Sequence, residues 1–358
     1  MLNVLAVHFR SSNETRLARY VLHQPAKILI VAPSWIGDAV LAQPMLARLC
    51  QKFPNVTIDM FAPAWVAPVF AFMPQVANVI DNPFTHGELG FVARRNLGRM
   101  LKANRYDQVI VLPNSLKSAL VPFFAAIPLR TGYRGEFRLG LLNDIRRLDE
   151  AKTPLMVERF AALAEDGPLA LAHPVPHPKL MFEQAKRIET LRSFGLSETH
   201  KLAIFCPGAE YGPAKRWPEK HFAMLGDRLL ERGFSLCLLG SSKDAPVGKA
   251  IVEKCSGKIL DLCGKTKLPD AIHLLASADL VITNDSGLMH IAAALDRPQV
   301  ALFGSSSPGF TPPLSGHAKV LSLNLECSPC FKRECPLGHF NCMNQLTPDR
   351  VLETITSP

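Results

Sequence analysis

Residues 279–304, DLVITNDSGLMHIAAALDRPQVALFG, contain a complete parallel α/β unit. Leu280, Val281 and Ile282 form an apolar, β-branched run that reads as a buried strand. Asn284-Asp285-Ser286-Gly287 ends it. Residues 288–295 have helical spacing, and 298–303 read as the next strand. Ligands of such units sit beyond the carboxyl ends of the strands. Ser286 and Gly287 then stand at a helix N-terminus, where free N–H groups and the positive end of the dipole suit a phosphate. His290 lies one turn further in, towards the same mouth. An isolated NDSG would be an ordinary capped turn. A second loop of similar design near the start of the chain argues for more.

That second loop follows residues 27–32, KILIVA, an apolar run of the kind buried on both faces of a sheet. Residues 33–38, PSWIGD, lead into a helical run over 39–53. Further strands are expected at 57–61, 78–80, 107–112 and 129–132, with helices over 88–104 and 117–126. The proline-rich stretch 169–178, LALAHPVPHP, is the linker candidate. The alternation then restarts, with strands at 202–206, 235–239, 258–261, 280–283 and 300–303. Helices lie between them, near 218–232, 244–254, 268–276 and 286–295. Strands and helices alternating in this way mean parallel, doubly wound sheets. The division is an extension over 1–26, one α/β domain over 27–172 and a second over 173–345. A C-terminal helix over 346–358 is expected to pack back on the first domain. Two such domains face each other across a cleft, where small ligands bind.

Composition bounds the partners. The chain has 358 residues, enough for two cores. Lys plus Arg exceed Asp plus Glu by nine, which fits an anionic partner without choosing among phosphate, anionic lipid and nucleic acid. Five of the nine cysteines, Cys50, Cys206, Cys237, Cys255 and Cys263, lie in apolar segments and read as buried thiols of a reducing compartment. No signal peptide is evident. Residues 60–80 carry no charge but are broken by Pro63, Pro68 and Pro74, so they are read as a strand end, a short helix and a second strand packed inside a domain.

Several residues could carry chemistry. Asp38 sits at the strand-to-helix turn of the first domain. It is either a first-turn acid that stabilises the helix by ~0.5–2 kcal/mol or a catalytic carboxylate. The loop around it lacks GxGxxG, which argues against a nicotinamide enzyme. The second domain opens with 207–217, PGAEYGPAKRW. There Gly208 permits a close turn, and Lys215 and Arg216 bring positive charge to the cleft. Arg95, Arg99 and Lys102 share one helix face. Lys117, Arg134 and Arg138 are the better candidates for an anionic acceptor. Cys327, Cys330, Cys335 and Cys342 form CSPCFKRECPLGHFNC. The four thiols suit zinc, an iron–sulfur cluster, a disulfide-poised loop or plain reduced thiols. Their later spacing departs from paired C-x-x-C knuckles. Reduced thiols peripheral to the chemistry are the main expectation, and a structural metal is the lesser one.

Taken in order, APSWIGDAV, PGAEYGPAKRWP, NDSGLMHIAAAL and ECSPCFKRECPLGHFNC resemble the bacterial lipopolysaccharide heptosyltransferases from about residue 27 to the end. The resemblance implies a GT-B fold, with two Rossmann-like doubly wound parallel-sheet domains facing across a cleft. It implies ADP-L-glycero-D-manno-heptose as donor and the heptosylated, Kdo-bearing inner core of lipopolysaccharide as acceptor. Transfer is inverting, with no cofactor and no required metal. Asp38 falls at the family's general base and Lys215 at its diphosphate-contacting lysine. Asp285, Ser286, Gly287 and His290 match the donor loop, with Gly208 and Glu210 beside it. Glu210 departs from the small hydroxyl residue of the branch that adds the first heptose, which points to the branch adding the second. A sister activity at another inner-core position and a non-catalytic nucleotide-sugar or lipopolysaccharide binder are the alternatives. A nucleic-acid partner is not expected, since the basic runs lack aromatic interleaving. The expected location is cytoplasmic, held weakly to the inner face of the inner membrane by basic residues.

Overall fold

A computed structural model describes residues 25–85, 87–167 and 170–356, so nearly all of the extension lies outside the described residues. The first domain contributes strands β1 (Lys27–Val31), β2 (Thr57–Ala62), β3 (Asn78–Asp81), β4 (Gln108–Val111), β5 (Leu129–Tyr133) and β6 (Asp144–Arg146). Its helices are α1 (Ile36–Leu41), α2 (Gln43–Lys52), α3 (Ala67–Phe70), α4 (Phe91–Leu101), α5 (Leu120–Phe124) and α6 (Met156–Ala161). After α7 (Gln184–Ser193), the second domain adds β7 (Leu202–Cys206), β8 (Ser235–Leu238), β9 (Ile259–Asp261), β10 (Leu280–Asn284), β11 (Gln299–Phe303) and β12 (Ala318–Ser322). Its helices are α8 (Glu219–Glu231), α9 (Ala245–Lys254), α10 (Leu268–Ala276), α11 (Gly287–Ala294), α12 (Asn341–Asn344) and α13 (Pro348–Thr356).

Each sheet has six strands, in the orders β3-β2-β1-β4-β5-β6 and β12-β11-β10-β7-β8-β9, and all the pairings are parallel. Counted from each domain's first strand, both orders are the same doubly wound order. The order reverses between β1 and β4 and again between β7 and β10. Ligands bind at such reversal points because the flanking connections leave on opposite faces and open a crevice. The loops after β1, β7 and β10 meet there.

Central strands are apolar on both faces because helices cover both. Ile28, Leu29 and Ile30 of β1 and Val281 and Ile282 of β10 are fully buried. One apolar cluster runs through both domains, joining Ile30, Val40 and Met45 to Ile204, Ile272 and Ile291. Directly after the linker candidate, Lys179 N–H donates to Gln43 Oε1 (3.1 Å), Leu180 N–H to Ala294 O (3.0 Å) and Met181 N–H to Phe72 O (2.8 Å), so the chain leaving it is stitched to both domains.

The sequence reading missed β6, β12, α6 and α7. β6 is three residues with two charges, paired with each other (2.8 Å), and it stays in the sheet through its parallel pairing with β5 and a hydrogen bond that Asp144 accepts from Thr131 (3.0 Å). The uncharged stretch 60–80 resolves into the end of β2, the short α3 and β3. No described helix is long and apolar enough to cross a membrane. The expectation for the C-terminal helix is corrected. α13 packs on the second domain, where Val351 and Leu346 join the cluster around Trp217 and Phe222, and Trp217 Nε1 donates to Leu346 O (2.7 Å). Trp217 and Phe222 offer the apolar surface that an amphipathic helix needs.

In the first domain α4 crosses α5 at Gly98, where an added Cβ would lie 2.6 Å from Phe124 Cβ and 2.7 Å from Val121 O. Gly98→Ala should therefore lower stability by about 1–3 kcal/mol, overpacking outweighing the helix-propensity gain. A thermal unfolding midpoint equal to or above the parent's would show that the helices separate freely.

Candidate active site in the cleft

Two helix starts face each other where the domains meet. β1 runs into residues 32–35 and α1 begins at Ile36, which places Gly37 and Asp38 in its first turn. Opposite, β10 runs into Asp285-Ser286 and α11 begins at Gly287, with no side chain capping its first turn. The backbones nearly touch. A Cβ on Gly37 would lie 2.7 Å from His290 Cδ2, and a Cβ on Gly287 would lie 3.0 Å from Ile36 Cβ. Neither position accommodates a side chain without pushing the domains apart.

The loop after β7 supplies the cation. Lys215 Nζ lies 2.5 Å from Asp285 Oδ2, and its ammonium stands 5.1 Å from the centre of the Tyr211 ring. Asn284, which the sequence reading took only as a strand stop, holds this loop. Its Oδ1 accepts from Trp217 N–H (3.1 Å) and its Nδ2 donates to Pro207 O (2.7 Å). One fully buried amide thus fixes both ends of the loop that carries Lys215. Sequence offered no signal for this, because the partners lie 77 and 67 residues away.

Lys215 and Arg216 face different partners, Arg216 lying 3.7 Å from Asp244. A Cβ on Gly208 would lie 2.5 Å from the Asp244 carboxylate, so glycine is needed there for close approach. Glu210 is exposed at the rim and ion-paired with Lys243. Ser286 is the first residue before α11, its hydroxyl 3.5 Å from Thr283 Oγ1.

Electrostatics separate the titratable groups. Burial pushes Asp38 up from its ordinary 3.8 to about 6, with Lys215 opposing and Asp285 adding to the rise. Burial pushes His290 down to about 4, Asp285 opposing and Lys215 assisting. His290 is therefore neutral at pH 7, and its Nδ1 is buried without a hydrogen-bond partner among the described residues. It fills the space between the helix starts and carries no charge to a phosphate. A carboxylate with a raised pKa, half-buried in a cleft beside a lysine, is suited to take a proton near neutral pH.

The first domain's basic candidates divide. Arg138 is only 2% exposed, and its guanidinium donates to Pro113 O (2.7 Å), Asn114 Oδ1 (3.2 Å) and Tyr133 O. This corrects its assignment to the acceptor, because it is committed to tying the ends of β4 and β5 together. Arg134 is exposed and Lys117 half-buried, and both remain available. The four C-terminal cysteines, expected to be peripheral, lie in a segment that touches the site. Arg333 O accepts from Ala214 N–H (3.0 Å) and Phe331 O accepts from Tyr211 Oη–H (2.8 Å).

Two doubly wound domains that place a carboxylate of one against a lysine loop of the other fit the GT-B glycosyltransferase class that the sequence resemblance implies. Residues 94–341 match Glycosyltransferase family 9 (heptosyltransferase), and the chain belongs to that family. It is 45% identical over 340 residues to lipopolysaccharide heptosyltransferase 2 of Escherichia coli K12, covering 92% of this chain and 98% of that one. It is 43% identical to lipooligosaccharide heptosyltransferase 2 of Haemophilus influenzae at the same coverage. The solved structure of E. coli ADP-heptose LPS heptosyltransferase II superposes with a TM-score of 0.84 at 44% identity, covering 91% of this chain and 96% of that one.

The raised pKa of Asp38 has a consequence for stability. Well below pH 4 the carboxyl is protonated folded and unfolded and costs nothing. As the pH rises, the unfolded chain ionises first, and stability falls until the folded group ionises near 6. At pH 8 the full penalty applies, on the order of 2–3 kcal/mol. Asp38→Asn should therefore raise the unfolding midpoint at pH 8, with the gain shrinking as the pH approaches 4. A gain independent of pH, or a loss at pH 8, would contradict burial as the origin of the shift.

Proposed function

We propose that this chain transfers L-glycero-D-manno-heptose from ADP-heptose to the first heptose of the lipopolysaccharide inner core, with inversion at the anomeric carbon. The observation that carries this reading is Asp38, raised to about 6, across the cleft from the Lys215–Asp285 pair. Asp38 takes the proton of the acceptor hydroxyl as that oxygen attacks the anomeric carbon. The bond from that carbon to the ADP oxygen breaks, and ADP leaves with the electron pair. Lys215 and the free N–H groups at the start of α11 take up the charge that develops on the diphosphate. Asp285 orients Lys215 and accepts from hydroxyls of the donor sugar. Ser286, Gly287, Gly208 and Glu210 line the donor side, and Arg134 and Lys117 face the anionic acceptor. Turnover needs no added magnesium or manganese, because Lys215 and the amides serve the leaving group.

The test is mass spectrometry of defined inner-core acceptors after incubation with ADP-heptose, with the linkage of the product determined. Gain of one heptose on the existing heptose is expected. Asp38→Asn should reduce turnover by at least ~10²-fold, and kcat/KM of the parent should fall below about pH 6. Lys215→Ala removes a charged contact of ~1.5–3 kcal/mol and should reduce kcat/KM for ADP-heptose by about ten- to a hundred-fold. Binding of ADP without transfer would support the non-catalytic alternative. Transfer to another inner-core position would make the chain a sister enzyme.

We also infer that the chain works at the cytoplasmic face of the inner membrane, bound through the first domain. Phe91, Val92 and Met100 of α4 are exposed beside Arg95 and Arg99. Phe91 meets Phe124 edge-on (5.3 Å), Phe124 meets Phe123 (5.5 Å), and the Arg130 guanidinium lies 5.6 Å from the Phe123 ring. Arg130 Nε donates to Leu141 O (2.6 Å), beside the loop that exposes Phe137 (90%) and Leu139 (78%). Apolar side chains set among cations suit an anionic bilayer surface. Vesicles containing phosphatidylglycerol should bind the protein and release it at high salt, and phosphatidylcholine alone should bind it poorly. Phe137→Ser with Leu139→Ser should weaken binding at least about tenfold. Equal binding to both vesicles, or no loss in the double variant, would contradict this surface.

A further inference from the structure

Between β12 and α12 the chain runs through residues 323–340 without helix or strand. A structureless segment this long inside a compact domain needs something to hold its shape. Past Leu323 the apolar core provides little of it, since Phe331 and Leu337 are exposed. What the segment does contain is thiols. Cys327, Cys330, Cys335 and Cys342 line one small cavity together with His339, and all four are free.

The turn from Cys335 to Phe340, with Gly338 at φ +70°, brings the Phe340 N–H back to the Cys335 sulfur, to which it donates at 3.4 Å. The four sulfurs share one cavity, where four thiolates would repel one another unless a cation stood among them. Lys332 and Arg333 sit between the two pairs of cysteines and offset the surplus negative charge of four thiolates on a divalent ion. A disulfide makes no use of N–H groups aimed at sulfur, whereas a metal-bound thiolate does.

We propose that Cys327, Cys330, Cys335 and Cys342 form a tetrathiolate site for a thiophilic divalent cation, zinc or ferrous iron, which fixes the strap that holds the Lys215 loop. Among the described residues no three cysteine, histidine or acidic side chains already stand in metal-binding geometry. Binding therefore requires the thiol side chains to rotate inward and their four protons to leave to solvent. The strap is tied down around the site. Cys342 Sγ abuts Gly304, where an added Cβ would lie 3.0 Å from it, and Ser328 Oγ donates to Gly304 O. Phe331 N–H donates to Ser305 O (2.7 Å), and Arg333 stacks over Tyr211 at 5.2 Å from the ring centre, on the ring that Lys215 also contacts. A closed tetrathiolate suits a structural ion with no open position for substrate.

The experiment uses the full-length protein, expressed with zinc and iron supplied and purified under reducing conditions without chelator. Elemental analysis should find about one zinc or iron per chain. Cobalt added to the stripped protein should give the thiolate-to-metal absorption of a tetrahedral site. Maleimide should spare the four cysteines until metal is removed, after which trypsin should cut faster at Lys332 and Arg333. Cys327→Ser and Cys335→Ser should each lose most of the metal. A folded parent chain with less than about a tenth of an equivalent of metal and no cobalt absorption would overturn the proposal. So would a mass showing these cysteines paired as disulfides. None of these readouts involves heptose transfer, so the metal site and the proposed activity can fail separately.

Discussion

The cleft depends on how closely α1 and α11 approach each other. Each helix starts at the carboxyl end of a central strand, and each has a glycine where a side chain would strike the other domain. His290 fills the remaining space with a neutral ring. This contact brings the carboxylate of one domain into the field of the lysine and aspartate of the other. It also removes water from Asp38, and burial is the main cause of its raised pKa. Distance and desolvation therefore share one origin, so a change that spreads the helix starts would weaken both together.

Much of this was legible in the sequence. The alternation of apolar strands and helical runs gave two doubly wound domains, because buried parallel strands are apolar throughout and hard to mistake. Glycine and acid at two strand-to-helix turns marked the ligand edge. What stayed hidden depends on contacts far apart in the chain. Asn284 reads as a turn residue, yet its amide bonds to Pro207 and Trp217. Arg138 reads as a free cation, yet three backbone and side-chain oxygens surround its guanidinium. Charge patterns show how many cations a segment has and not which are already engaged. β6 was invisible because it is three residues long with a single apolar side chain, and it is held by its pairing with β5 and by the Thr131–Asp144 hydrogen bond.

The C-terminal cysteine segment shows the same limit from the other side. Sequence set it apart from the chemistry, and it lies more than a hundred residues from Lys215 along the chain. In the folded chain its backbone carbonyls accept from Ala214 and Tyr211, within the loop that carries Lys215. Gly212 comes so close to the strap that an added Cβ would lie 2.4 Å from Arg333 O. The loop is thus clamped from below by Asn284 and from the side by the strap. A lysine with three rotatable donors on a flexible stem needs such fixing if its charge is to sit at one point.

That fixing bears on how the donor binds. Without a ligand, Lys215 is already paired with Asp285 at 2.5 Å. In the proposed reaction an incoming diphosphate would exchange one anionic partner for another, so the net gain from this lysine would be smaller than a fresh ion pair gives. The rest of the affinity must come from groups with no partner beforehand. The uncapped N–H groups at the start of α11 meet that condition. In the proposed reaction, phosphates on Lys215 would leave Asp285 to accept from hydroxyls of the sugar. The same exchange would weaken the pull of Lys215 on Asp38 and place further negative charge nearby, and both effects would make the Asp38 carboxylate a stronger base. The proposed mechanism thus couples donor binding to activation of the acceptor hydroxyl through one lysine between two carboxylates.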